Sequence, residues 1–223
     1  MANPTFTIVI PLYDGVDLLD VAAPTEVFTW LDDNWEGTKV IVCQVAERMD
    51  SLKTRDGTII TPQKSFAEVR RADLLWVPGG QPDALAQIMY KPGGAPYLDY
   101  LRQVAADAKW VTSVCEGALL LAQAGLLDGY FATTHWRFRK CLAAFPKIKV
   151  VTDGHPRYII DRNRVTGAGI SAGLDEGLAL IELIAGTEIA RQVQLTLQYY
   201  PRPPVDGPIP EDPGDCLVES PDA

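Results

Sequence analysis

The sequence predicts an α/β protein built on a doubly wound, mostly parallel β-sheet with helices on both faces. Three observations carry that expectation. Short apolar runs rich in β-branched residues recur along the chain, as in TFTIVIPLY (5–13), KVIVCQVAE (39–47), ADLLWVPGG (72–80) and KWVTSVC (109–115). Stretches with apolar residues at helical spacing alternate with them, and that alternation implies crossover connections and a parallel sheet. Finally, 223 residues at 47% hydrophobic content suit one core rather than two.

The elements follow in order. After the first strand, DLLDVAAPTEVFTWL (17–31) has helical spacing, and Pro24 predicts a helix that starts near it, because proline is tolerated in a first turn. LKTRDGTIITPQKSF (52–66) reads as a hairpin with Asp56-Gly57 at its turn. GAPYLDYLRQVAADA (94–108) is amphipathic. EGALLLAQAGLL (116–127) continues directly from the strand 109–115 as a helix capped by Gly125 or Gly129. YFATTHW (130–136) reads as a fifth strand ending at His135, followed by a short helical piece, IKVVTDG (148–154) and RYIIDRNRVTGAG (157–169). One long helix is expected from about Gly173 to Tyr199. The single domain then covers 1–200, and 201–223 form a Pro-, Asp- and Gly-rich tail, extended or disordered.

Composition narrows the function. The net charge is −9 and the pI about 4.7, which disfavours a phosphate-backbone partner such as nucleic acid. No apolar run is long enough for a membrane span, and the N-terminus lacks the pattern of a signal peptide. The four cysteines, Cys43, Cys115, Cys141 and Cys216, show no CxxC spacing, and the two histidines lie far apart, so no metal site is expected. These features predict a reduced, cytoplasmic protein.

In open α/β sheets, ligands bind beyond the carboxyl ends of the strands. At those ends lie Asp20, Gly79-Gly80, Cys115 and His135. Cys115 stands between a strand and a helix with Gly117 two positions on, a strand–nucleophile–helix elbow in which a helix N-terminus favours the thiolate. The same pattern also fits a buried cysteine acting as a small hydrophobe. Gly79-Gly80 fits either a strand-ending turn or bare N–H groups that stabilise developing charge. Asp20 reads as a helix N-cap or as a general acid/base, and His135 as a structural or a supporting residue. Cys43 reads as core. Cys141 and Cys216 receive no role.

Five stretches in order, LLDVAAPTEVF, VPGGQ, TSVCEGALLLAQAGLLDGYFATTHW, VTGAGISAGLDEGLALIE and ARQVQLTLQYYPRPP, resemble the DJ-1/PfpI superfamily, and within it the branch of isonitrile hydratases. The resemblance covers about residues 5–205. It implies a flavodoxin-like fold, a homodimer and no cofactor. It also implies a lyase in which the Cys115 thiolate adds to an isonitrile carbon and Asp20 moves protons; beside them the Gly79, Gly80 and Glu116 backbone reads as stabilising, and Ile170 as a supporting pocket residue. The same superfamily implies, as alternatives, an amidase or glyoxalase-type activity, or a non-enzymatic redox sensor. Glu116 departs from the pattern: the hydratases carry Thr after the cysteine and the peptidase-like branch carries His. A carboxylate there opposes the helix dipole and raises a neighbouring thiol's pKa unless it points across the helix start.

Overall fold

Strand β1 (Thr5–Pro11) lies at the heart of the sheet because it is apolar on both faces, with Ile8, Val9 and Ile10 fully buried. The computed structural model describes residues 3–205 and 207–218. The chain continues through α1 (Leu18–Asn34), β2 (Lys39–Ala46), β3 (Leu52–Lys53), β4 (Ile59–Ile60), β5 (Lys64–Ser65), β6 (Leu74–Val77), α2 (Pro82–Tyr90), α3 (Ala95–Ala105), β7 (Trp110–Ser113) and α4 (Gly117–Gln123). It ends with β8 (Phe131–Ala132), α5 (Arg139–Ala143), β9 (Lys149–Val150), β10 (Tyr158–Asp161), β11 (Arg164–Gly167), α6 (Ala172–Ala185) and α7 (Thr187–Thr196).

Seven strands form the main sheet in the order β10-β11-β7-β6-β1-β2-β5. Every pair is parallel except the edge hairpin β10–β11. The expected doubly wound sheet is therefore present. Register then positions the chemistry. Val77 of β6 pairs with Ser113 of β7, and Thr166 of β11 pairs with Ser113 on the other side. Two residues further along each strand, Gly79, Cys115 and Ala168 come side by side.

Helix α1 differs from its expected start. It begins at Leu18, and Pro24 is an interior residue. Proline lacks the N–H that would bond the carbonyl four residues back. That carbonyl belongs to Asp20, and it instead accepts the indole N–H of Trp76 at 3.0 Å. The proline thus frees a backbone acceptor, and a buried tryptophan of the central sheet fills it. Trp76 also meets Phe28 edge-on, with centroids 5.8 Å apart, which locks α1 to the sheet.

Three further expectations are corrected, and one helix is added. The stretch 130–136 supplies no strand of the main sheet, since β8 pairs only with β9 in a separate two-stranded ribbon. The expected helix from 173 to 199 is two helices, broken at Gly186, whose φ of +95° is open to glycine but strained for other residues. Helix α2, between the glycine pair and Gly94, had no counterpart in the sequence reading. It starts with Pro82 at its first position and buries Leu85, Ile88 and Met89. Finally, the chain is not fully reduced, because Cys141 and Cys216, 75 residues apart, form a disulfide. The tail reaches Cys141 because the residues at the start of α5 and just before it grip it. Arg137 donates to the carbonyls of Pro213 and Asp215, and Arg139 to that of Glu211. No local spacing in the sequence encodes that approach.

Candidate active site

At the end of β7 the chain turns through Cys115 at φ +56° and enters α4. An L-residue pays strain for that conformation, and such strain persists where the surroundings over-determine it. Here they do. The Cys115 N–H donates to the Ala168 carbonyl at 2.8 Å, and its carbonyl accepts the Thr134 hydroxyl at 2.7 Å. Opposite sits a second strained residue, Ile170 at φ +23°, whose backbone N–H faces the thiol. A β-branched residue at positive φ is an outlier, and this one aims a donor at sulfur.

Asp20 arrives from α1. Asp17, not Asp20, is the N-cap, accepting from the Leu19 N–H at 3.1 Å. The cap reading of Asp20 is therefore excluded. Its side chain turns inward in the first helical turn, where Oδ2 accepts the Gly79 N–H at 2.9 Å. Oδ1 is buried with no partner. Asp17 itself pairs with Arg55 at 2.8 Å and takes the Gly79 carbonyl on its N–H at 2.9 Å, so the Gly79 backbone is held from both sides by α1.

Gly79 cannot be anything larger. A Cβ there would lie 2.4 Å from Glu116 Oε2, 2.7 Å from the Glu116 nitrogen and 2.9 Å from Cys115 Cβ. At Gly80 a Cβ would meet the Gly15 carbonyl at 2.5 Å and the Tyr13 hydroxyl at 2.8 Å. The glycine pair is therefore a demand for space against the elbow. Cys115, Asp20 and Glu116 are 1%, 0% and 6% exposed, and one ligand-type atom from each lies within 4.8 Å of the others. Donors so close could bind a cation only after Cys115 and Asp20 lost their protons.

Burial sets the proton positions. Burial first, then the Asp17 and Glu116 carboxylates, pushes Asp20 well above the usual carboxylate range, against the Gly79 N–H. That direction favours the neutral form, which has an O–H to offer. Burial, followed by Glu116 and Asp20, also pushes the Cys115 thiol well up, and only the Ile170 N–H opposes. These influences act against the thiolate that the helix start favours. Burial raises Glu116 too, but less, since the Cys115 thiol, its own N–H and the Gly80 N–H all favour its charged form.

His135 makes its contacts elsewhere. Its Nδ1 accepts the Arg137 N–H at 3.1 Å, and its ring fills the space a Cβ on Gly169 would need. Burial, then Arg55, holds it below the usual histidine value, as a neutral imidazole. It belongs to the wall of a cavity of about 380 Å³, together with Trp136, Ile170, Arg157 and the tail residue Ile209. Thr134 and Ala168, which hold the Cys115 backbone, line the same cavity. Tyr13 belongs to a different one and donates to the Pro78 carbonyl at 3.3 Å.

Sequence reasoning missed Glu176. This carboxyl is fully buried on α6, neither oxygen has a hydrogen-bond partner among the described residues, and Oε2 would sit 2.2 Å from a Cβ on Gly167. Its spacing held the signal: it falls on the same face as Ala172 and Leu180, an apolar stripe. Burial, then Asp20, raises its pKa well above the usual range. A raised carboxyl contributes stability fully below its unfolded pKa of about 4, and loses it as pH rises through the folded value. Glu176→Gln should therefore unfold later than wild type at pH 8, by up to about 1.4 kcal/mol per pH unit of the window, and show no such gain at pH 4. Urea unfolding at the two pH values checks this.

The fold and the elbow define a class, and comparison with known proteins gives it a family. Residues 6–183 match the DJ-1/PfpI family, and the chain belongs to that family. It is 35% identical over 208 residues to the isonitrile hydratase of Pseudomonas putida, spanning 93% of this chain and 85% of that one. It is 32% identical over 148 residues to the HTH-type transcriptional regulator GbdR of Pseudomonas aeruginosa, but spans only 37% of that protein. Among solved structures, a ThiJ/PfpI family protein from Pseudomonas syringae superposes with a TM-score of 0.80 at 32% identity, covering 92% of this chain and 79% of that one. Drosophila melanogaster DJ-1beta shares the fold at a TM-score of 0.71 and 20% identity, covering 87% of this chain and 98% of that one.

Proposed function

We propose that the protein is a cofactor-independent isonitrile hydratase, a lyase with Cys115 as nucleophile and Asp20 as acid. The observation that carries the reading is the buried elbow thiol beside the buried Asp20, whose Oδ1 has no partner among the described residues. The relative in Pseudomonas putida supports the choice of substrate.

The chemistry balances as follows. Sulfur bonds to the terminal carbon of R–N≡C while that carbon gains a proton, giving the thioimidate Cys–S–CH=N–R. Water then adds across C=N, oxygen to carbon and hydrogen to nitrogen. The C–S bond breaks, sulfur regains a proton from the new hydroxyl, and H–CO–NH–R leaves. Nucleophilic addition to an isonitrile builds negative charge on carbon, so a positioned proton donor is the group the first step needs. A neutral carboxyl in a dry site is such a donor, on the same logic that keeps other catalytic acids protonated. The Ile170 N–H supports the charge on sulfur as it forms and leaves.

A redox-sensor role fits this environment less well, since sensing cysteines are exposed and of low pKa. The same proposal takes the protein as a homodimer acting in the cytoplasm on a small molecule, not on nucleic acid or a membrane.

Cyclohexyl isonitrile, methylglyoxal and a small primary amide, offered separately to the same preparation, separate the activities. The expected result is formamide from the isonitrile and no comparable turnover of the others. Turnover of methylglyoxal or the amide, with the isonitrile untouched, overturns the reading.

A further inference from the structure

The reaction needs a base as well as an acid. Asp20 serves there as the acid, so it cannot take the thiol proton while it gives its own to carbon. Its Oδ2 is committed to the Gly79 N–H, and only Oδ1 is open. A second group must accept from sulfur.

The Glu116 side chain stands where that group has to be. It is 6% exposed and folds back over the elbow onto the bare Cα of Gly79. There one of its oxygens lies within 4.8 Å of the Cys115 sulfur and of an Asp20 oxygen. The Glu116 and Gly80 N–H groups are the donors that the sequence suggested would stabilise a substrate oxyanion. In the structure they favour the charged form of a carboxylate of the protein itself. Isonitrile addition generates no oxyanion in its first step, so a cradle that keeps a base ionised is of more use there than an empty hole. The other titratable groups around Glu116 are Asp17 and Asp20 of α1, Arg55 beyond the β3 strand, and the buried Tyr13.

We propose that the Glu116 carboxylate is the catalytic base that takes the Cys115 proton as sulfur bonds to the isonitrile carbon, leaving Asp20 to serve as the acid. The proposal rests on the hydratase reading above for its substrate. In the first half, the S–H proton passes to Glu116 and the Asp20 proton passes to carbon. In the second half, Asp20, now charged, takes a proton from the attacking water, and Glu116 gives its proton to the imine nitrogen. The carboxyls return to their starting states, and the hydroxyl proton moves to sulfur through Glu116 as the C–S bond breaks.

The test has two readouts on the full chain. The first is the rate of Cys115 alkylation by iodoacetamide from pH 5 to 10, which needs no isonitrile. A thiol with a built-in base should alkylate at a flat rate between the Glu116 and Cys115 titrations. Glu116→Gln should lose that plateau and instead fall tenfold per pH unit below the thiol pKa. The second is formamide formation from cyclohexyl isonitrile, which should drop by roughly 10²–10⁴-fold in Glu116→Gln and recover in part in Glu116→Asp. A purely electrostatic Glu116 predicts the opposite for turnover, since removing its charge makes the thiol easier to ionise. Glu116→Gln turning over at the wild-type rate or faster overturns the proposal, as does a wild-type profile with no plateau, a measurement that requires no variant to fold. A plateau that depends on Glu116 in a protein inert to every isonitrile upholds the base and refutes the hydratase reading.

Discussion

Cys115→Ala should abolish formamide formation, with a loss of about 10⁴-fold or more, while the protein still folds. The size follows from chemistry: alanine offers no electron pair to the isonitrile carbon, and removing a nucleophile from a cooperating set costs about as much as removing the whole set. The fold survives because the substitution keeps Cβ, and the elbow is held by its own N–H donating to the Ala168 carbonyl and by the Thr134 hydroxyl donating to its carbonyl. Those bonds do not involve sulfur. The measurement is steady-state formamide production beside a circular dichroism melt. A variant that is folded and still active would remove Cys115 from the chemistry.

Asp20→Asn is the second large effect, expected at roughly 10²–10⁴-fold in kcat. Asparagine is nearly isosteric. Its oxygen can keep the Gly79 N–H bond, and its NH₂ can take the open position of Oδ1. What it cannot do is give up a proton to carbon. The loss should therefore fall on kcat, with KM little changed, because Asp20 is required in the transition state more than in binding. Because burial favours the neutral form of Asp20, the variant takes little charge from beside the thiol, and Cys115 alkylation should keep its wild-type pH profile. Unchanged alkylation together with slower turnover is the signature to look for.

Much of this was legible in the chain. Parallel strands buried on both faces read as unbroken apolar runs, so β1, β6 and β7 stand out, and the alternation with helices gives the sheet. The elbow was legible as a thiol at a strand–helix seam. The proton states were not. Spacing places Asp20 near a helix start, but only the packing of Trp76 and Gly79 around it shows that Asp17 does the capping and Asp20 faces inward. Glu116 read as a departure from the family pattern, and the direction of its side chain is a tertiary fact. The Cys141–Cys216 bridge was illegible for the same reason, since two arginines bring the tail across 75 residues of chain. Pro24 misled, because the rule against interior proline assumes that the orphaned carbonyl goes unpaired.

One measurement bears most directly on the central claim: nuclear magnetic resonance of an alkyl isonitrile labelled with ¹³C at its terminal carbon, incubated with wild-type protein in H₂¹⁸O. The label should move into an N-formyl group whose oxygen comes from solvent, at a rate proportional to enzyme and absent with Cys115→Ala. An isonitrile that stays intact beside a protein whose Cys115 still titrates as a free thiol would contradict the account.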